Sequence, residues 1–295
     1  MSAGPGRDAG RRPVWMVAAA IVACALAGCA GHGPGHHATA SPSGSAGGPG
    51  SPAWMLTRSA LSQMLADPSV RSRLERTRIY ELLQPGQQPL SGVDAVPVVT
   101  FPAVAELRSA LAGNTLPAGT RAVLYDPEAW SFTPPAEQRD PVQAATQAAG
   151  LAHAHGLKLI AAPALNLTTV MDPGSSAPRW QCFLDLGLAR SMARVADVVE
   201  LQAQSLERDQ ATYVRFVREA AAQARAANPA VSVFAGLSTN PPGAPVDSRQ
   251  LTAAYRASRP AVDGYWLNIP GNGPRCPTCN ASRPDIGTKV LSSVL

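Results

Sequence analysis

The chain has 295 residues, long enough for one barrel-sized domain with a tail and more than a single small core requires. Charged residues make up 15% and aromatics 5%, and the formal charge of +5 includes Arg7, Arg11 and Arg12 in a segment expected to be removed. No Lys/Arg cluster interleaved with aromatics follows them, so the basic balance is no argument for a nucleic-acid partner, and none is expected.

The three arginines precede an apolar run, VWMVAAAIVACALAG (14–28), which is too short for a comfortable membrane span. The run ends in LAGC, Leu26 to Cys29. This resembles the lipobox of bacterial lipoproteins, in which the cysteine is acylated on sulfur and becomes the mature N-terminus. Small residues before it let a peptidase approach the backbone, and a thiol is the soft nucleophile that thioether formation requires. The resemblance implies a lipoprotein signal peptide over 1–28, lipidation at Cys29, and a protein exported and anchored to the outer face of the bacterial cell membrane. An ordinary cleaved signal that happens to contain a cysteine is the other reading. Buried acyl chains would anchor the protein at about 0.8 kcal/mol per CH₂.

Residues 29–53 are rich in Gly, Ser and Pro and nearly free of large apolar side chains. Such a stretch cannot bury enough surface to offset its ordering entropy, so it reads as a flexible tether. His32, His36 and His37 lie in it without a frame to fix ligand geometry, and no metal or cofactor is expected. Of five cysteines, Cys24 lies in the signal and Cys29 is spent on lipid, leaving Cys182, Cys276 and Cys279. The motif CPTC (276–279) sits among GNGPR and NASRP, a loop context, and no second CxxC completes a zinc site. A local disulfide between Cys276 and Cys279 is expected, with Cys182 buried or free.

From Trp54 onward the pattern alternates, and 54–295 reads as one domain. Residues 59–77 read as one or two helices broken at Pro68, with Asp67 ahead of it. Strands are expected over 78–83, 96–101, 121–126, 157–165, 197–204, 231–239 and 262–269. Helices are expected over 102–113, from Asp140 to Gly156, and over 184–196, 211–227, 248–258 and 284–294. Repeated βα units with short apolar strands predict a parallel sheet covered by helices. Seven strands in one run favour a (β/α)8-type barrel over an open sheet, with its completeness left open. No G-x-G-x-x-G or Walker motif is present, which argues against a nucleotide-binding sheet.

In such a barrel the site is built at the C-terminal strand ends. Those positions carry Asp126, Glu128 and Trp130 in AVLYDPEAW, then Asn166, then Glu200, Gln202 and Gln204, then Ser238 to Asn240, then Tyr265, Trp266 and Asn268. Acids, amides and indole rings suit a carbohydrate, whose hydroxyls pair with amides and carboxylates and whose C–H faces stack on rings. The competing reading makes Asp126 and Glu128 a solvated strand end, Trp130 and Trp266 rim packing, and Glu200 an arginine's partner.

The succession DPE, LIAAPAL, VVELQAQ, VFAGLST and GYWLNI over roughly 121–270 resembles family 18 glycoside hydrolases, the chitinase family. The resemblance implies that Glu128 is the general acid, Asp126 its neighbour, Gln202 the Gln of a QxYN strand and Trp266 the platform of the sugar site. It implies a substrate-assisted reaction on an amino-sugar polysaccharide such as peptidoglycan or chitin. Trp130, Gln204, Asn268 and Glu200 complete the expected substrate-binding set. The sequence departs from the family pattern where TRAVLY precedes Asp126, where Pro127 separates the acids, and where Gln204 replaces Tyr. Only two strands are assigned before the acidic one, where the family has three. A non-catalytic glycan-binding or structural envelope protein is the alternative.

Overall fold

The computed structural model describes residues 50–241, 245–273, 276 and 279–295. The expected signal peptide, Cys29, most of the tether and His32, His36 and His37 lie outside the described residues.

Among the described residues eight parallel strands close into a barrel in sequence order. They are β1 (Ala53–Thr57), β2 (Ile79–Leu83), β3 (Val96–Phe101), β4 (Ala122–Tyr125), β5 (Lys158–Ala161), β6 (Val198–Leu201), β7 (Ser232–Ser238) and β8 (Gly264–Asn268). The first connection carries α1 (Arg58–Leu65) and α2 (Pro68–Leu74); α3 (Val104–Ala112) follows β3. After β4 come α4 (Pro135–Arg139) and α5 (Pro141–Ala154). After β5 come α6 (Thr168–Met171), α7 (Arg179–Asp185) and α8 (Leu188–Ala193). The circuit ends with α9 (Gln210–Ala227), α10 (Ser248–Ser258) and α11 (Pro284–Val294). This is a (β/α)8 barrel, and it is complete.

The eighth strand is the one the sequence pattern did not disclose. β1 opens at Ala53, the last residue assigned to the tether, and runs through the apolar stretch Trp54, Met55 and Leu56. It pairs with β2 on one side and β8 on the other, and so closes the ring. Three strands therefore precede the acidic β4, not two. The seam is held from outside by three rings. Trp54 of β1 stacks on Tyr255 of α10 at 5.6 Å, and Tyr265 of β8 lies 5.5 Å from Trp54 and 4.8 Å from Tyr255. The Tyr265 hydroxyl donates to the Tyr255 carbonyl at 3.0 Å. Each such ring pair contributes about 0.5–1.5 kcal/mol beyond its burial.

Side chains alternate between two cores because the strand period is two. Outward residues such as Leu56, Val123, Val199 and Leu201 pack under the helices. Inward residues Met55, Leu82, Val98, Leu124, Ile160, Val198, Phe234 and Trp266 fill the barrel. Caps set the helix starts, with Asp67, Asp140, Asp209 and Asp247 each accepting from the first turn of α2, α5, α9 and α10. The helix expected over 184–196 is two helices, because Gly187 takes φ +63° between α7 and α8.

Candidate functional site

The C-terminal ends of the strands surround a cavity of about 790 Å³. Asp126, Glu128, Trp130, Gln202, Gln204, Trp266 and Asn268 all line it. Cys276 and Cys279 line it too, joined by a disulfide in the loop after β8. Cys182 is a buried free thiol.

The acid pair is placed by β4. Asp126 continues the inward face of Ala122 and Leu124 and is 5% exposed. Gln202, one residue past β6, reaches across: its Nε2 donates to Asp126 Oδ1 at 2.6 Å and to the Ala162 carbonyl at 2.8 Å. Both amide hydrogens are thus spent, and Gln202 ties Asp126 to the backbone just beyond β5. Glu128 is held differently. Asn166, in the turn after β5, donates from Nδ2 to Glu128 Oε2 at 3.3 Å and accepts at Oδ1 from Ala129 N at 2.9 Å.

The loop beyond the acids is pinned by one buried hydroxyl. Thr133 Oγ1 accepts from Glu128 N at 3.2 Å and from Trp130 Nε1 at 2.9 Å, and donates to the Pro102 carbonyl at 3.0 Å. Gln138 Nε2 adds bonds to the carbonyls of Trp130 at 2.8 Å and Thr133 at 2.7 Å. Trp130 meets Phe132 edge to face at 5.1 Å, so two rings stand at one side of the mouth. Across the barrel, Trp266 is inward on β8 and 8% exposed. Gln204 lies over β7, where Gly236 leaves room: a Cβ there would come within 2.6 Å of the Gln204 carboxamide oxygen.

Glu200 requires a correction. It was expected to contact the ligand, but it is 0% exposed and does not line the cavity. The strand is shorter than expected and ends at Leu201. Glu200 therefore sits one inward position below Gln202, beside Phe234 in register, inside the barrel. Neither of its oxygens has a hydrogen-bond partner. Burial pushes its carboxyl well above the usual range, and the nearby charges of Asp126 and then Glu128 push the same way. Its protonated form is the one this position beneath the pair favours. Glu207 is also buried and raised by burial, but its Oε1 accepts from Ser238 N at 2.7 Å, which makes it a brace for the end of β7.

Thr133, Phe132, Arg58, Arg179 and Ser205 were not singled out from the sequence. Phe132, Thr133 and Ser205 lie in loops and Arg58 and Arg179 open α1 and α7, so their approach to the mouth depends on loop path and helix placement. Asn166 stood at a strand end and was legible by position, though not its grip on Glu128. No group of three or more His, Cys, Asp or Glu side chains suited to a metal occurs among the described residues.

The fold and site define a (β/α)8 barrel with an acid–amide–aromatic cleft at the C-terminal ends of its strands. No family model and no curated protein matches the chain. Solved structures similar to it include a chitinase from Chromobacterium violaceum, at 11% identity and TM-score 0.45, covering 83% of this chain and all of that one. The PgaB glycoside hydrolase domain from Bordetella bronchiseptica aligns at 11% identity and TM-score 0.39, over 77% and 96% of the two chains. Triosephosphate isomerase from Bartonella henselae aligns at 11% identity and TM-score 0.38, over 74% and 92%.

Proposed function

We propose that this protein is a lipid-anchored, extracytoplasmic glycoside-hydrolase-like enzyme acting on an amino-sugar polysaccharide. The observation that carries the reading is the convergence of Asp126, Glu128, Gln202 and Trp266 on one cleft. Three strands far apart in sequence, β4, β6 and β8, deliver an acid pair, an amide and an indole to one mouth, and that combination suits a sugar ring and its glycosidic bond.

In this reading Glu128 gives its proton to the glycosidic oxygen as the bond from the anomeric carbon breaks. The substrate's own acetamide oxygen forms the new bond to that carbon. Asp126, fixed through Gln202, orients the acetamide and balances the positive charge that develops on it. Water then opens the cyclic intermediate and returns a proton to Glu128. Only one protein carboxyl moves a proton, so a second carboxylate at nucleophilic distance is not needed. Trp266 and Trp130 offer faces for sugar C–H groups.

The second reading is a glycan-binding barrel without turnover. It is favoured by Leu124, an apolar residue filling the inward position of β4 directly beneath Asp126, where the chitinase pattern carries an acid. Glu128→Gln separates the two. Under the first it abolishes release of reducing ends from chito-oligosaccharides and cell-wall glycan while binding by calorimetry persists. Turnover in neither rejects the enzymatic reading, and equal turnover in both rejects Glu128 as the acid.

A further inference from the structure

We propose that the glycan held here carries carboxylate-bearing sugars, and that Arg58 and Arg179 receive those carboxylates in the cleft. This rests on the glycan reading above and names the substrate class within it.

Both arginines line the cavity. Arg58 is the first residue of α1, directly after β1, and Arg179 the first of α7, in the connection from β5 to β6. In a closed ring of eight, β1 and β5 stand opposite each other, so the two arginines belong to connections that leave opposite strands of the barrel. Arg58 is half-buried and fixed: its Nε donates to the Gln88 carbonyl at 2.7 Å, which sets the plane of the guanidinium and leaves its terminal nitrogens for another partner. Its charge is felt by Glu81, but that carboxylate is occupied by Leu90 N at 3.0 and 3.2 Å. Ion pairs among the described residues engage Arg215, Arg225, Arg249, Arg283 and His153, and neither arginine of the cleft.

The division of labour in the cleft points the same way. Gln202 donates to Asp126 and Asn166 to Glu128. Among the described residues no ion pair joins Arg58 or Arg179 to either acid. Hydroxyls and acetamides of a neutral sugar are already served by Gln84, Gln87, Gln204, Asn240 and Asn268 along the wall. The planar fork of arginine is the side chain that matches a carboxylate on the substrate.

The test measures binding to full-length protein by calorimetry with two probes of equal length. One is a tetrasaccharide alternating N-acetylglucosamine and N-acetylmuramic acid; the other is chitotetraose. The acidic probe should bind more tightly, with an advantage that shrinks as salt rises. Arg179→Gln and Arg58→Gln should each weaken the acidic probe by about tenfold and leave chitotetraose unchanged, while Arg108→Gln on α3 changes neither. Arg179 is exposed, so its variant remains decisive if Arg58→Gln disturbs the loop at Gln88. Chitotetraose bound as tightly as the acidic probe, or both probes weakened equally by Arg179→Gln, overturns this inference and leaves the glycan reading intact. Binding of neither probe overturns both.

Discussion

A carboxyl sealed inside a barrel with neither oxygen bonded is a liability to the fold, and Glu200 is such a group. Its pKa in the folded protein is raised above that of the unfolded chain, where a glutamate titrates near about 4.3. Between those two values the folded state holds a proton that the unfolded state has released, so stability falls as pH rises through that window. Below about pH 4 both states are protonated and the penalty is absent. Glu200→Gln keeps the shape and removes the titration. It should therefore raise the thermal midpoint near neutral pH, and the gain over wild type should close as pH falls to about 4. Calorimetric scans across that range check it, and a variant less stable than wild type at neutral pH would contradict it. The sequence reading placed Glu200 near the end of a strand expected over 197–204. Only the pleat and the early end of β6 show that it lies a layer deeper, on the face shared with Gln202.

At the level of elements, the seam of β7, β8 and β1 is tuned by two glycines with opposite tasks. At Gly264 a Cβ would lie 2.6 Å from Phe234 Cζ and 2.7 Å from the Ala53 carbonyl oxygen. The carbonyl belongs to the strand that closes the ring and cannot swing aside, so Gly264→Ala should destabilise the barrel by about 1–3 kcal/mol. At Gly236 the obstacle is the end of the Gln204 side chain, which can move. Gly236→Ala should leave the thermal midpoint close to wild type and weaken glycan binding by displacing that amide from the cavity wall. Scanning calorimetry and binding on the same two variants distinguish the tasks; a Gly236 variant that unfolds early while binding normally would reverse the assignment. These roles are not visible in sequence, since a lone glycine in a strand says only that something approaches. The elements themselves were largely legible where caps and periodicity agree, as at α10, whose Asp247 and Gln250 form a reciprocal cap. They were illegible where the signal is short. β1 is five residues with an unbroken apolar run after a Gly/Pro-rich stretch, too brief to show alternation and too close to the tether to stand out.

For the whole molecule, the closed barrel follows from eight parallel strands, and the seven read from the sequence were enough to name the architecture. The site was legible as a set of strand ends but not as a shape, because loop paths through Thr133 and Asn166 decide which side chains meet. Where the protein works is a separate matter, carried by the four residues Leu26 to Cys29. If they act as a lipobox, anchoring depends on one atom, the sulfur of Cys29, because an alcohol does not form the thioether. Cys29→Ser changes that atom and nothing in the barrel. Expressed in a bacterium with the lipidation machinery, the wild-type protein should partition with membranes and incorporate labelled palmitate. The serine variant should lose the label and appear in the soluble fraction, with glycan affinity equal to wild type. Several acyl chains are needed for stable anchoring, since one chain alone binds membranes only marginally, so loss of the modification should release the protein outright rather than by degrees. A serine variant that stays membrane-bound and labelled would remove the anchor from the proposed function and leave the cleft to be judged on its own chemistry.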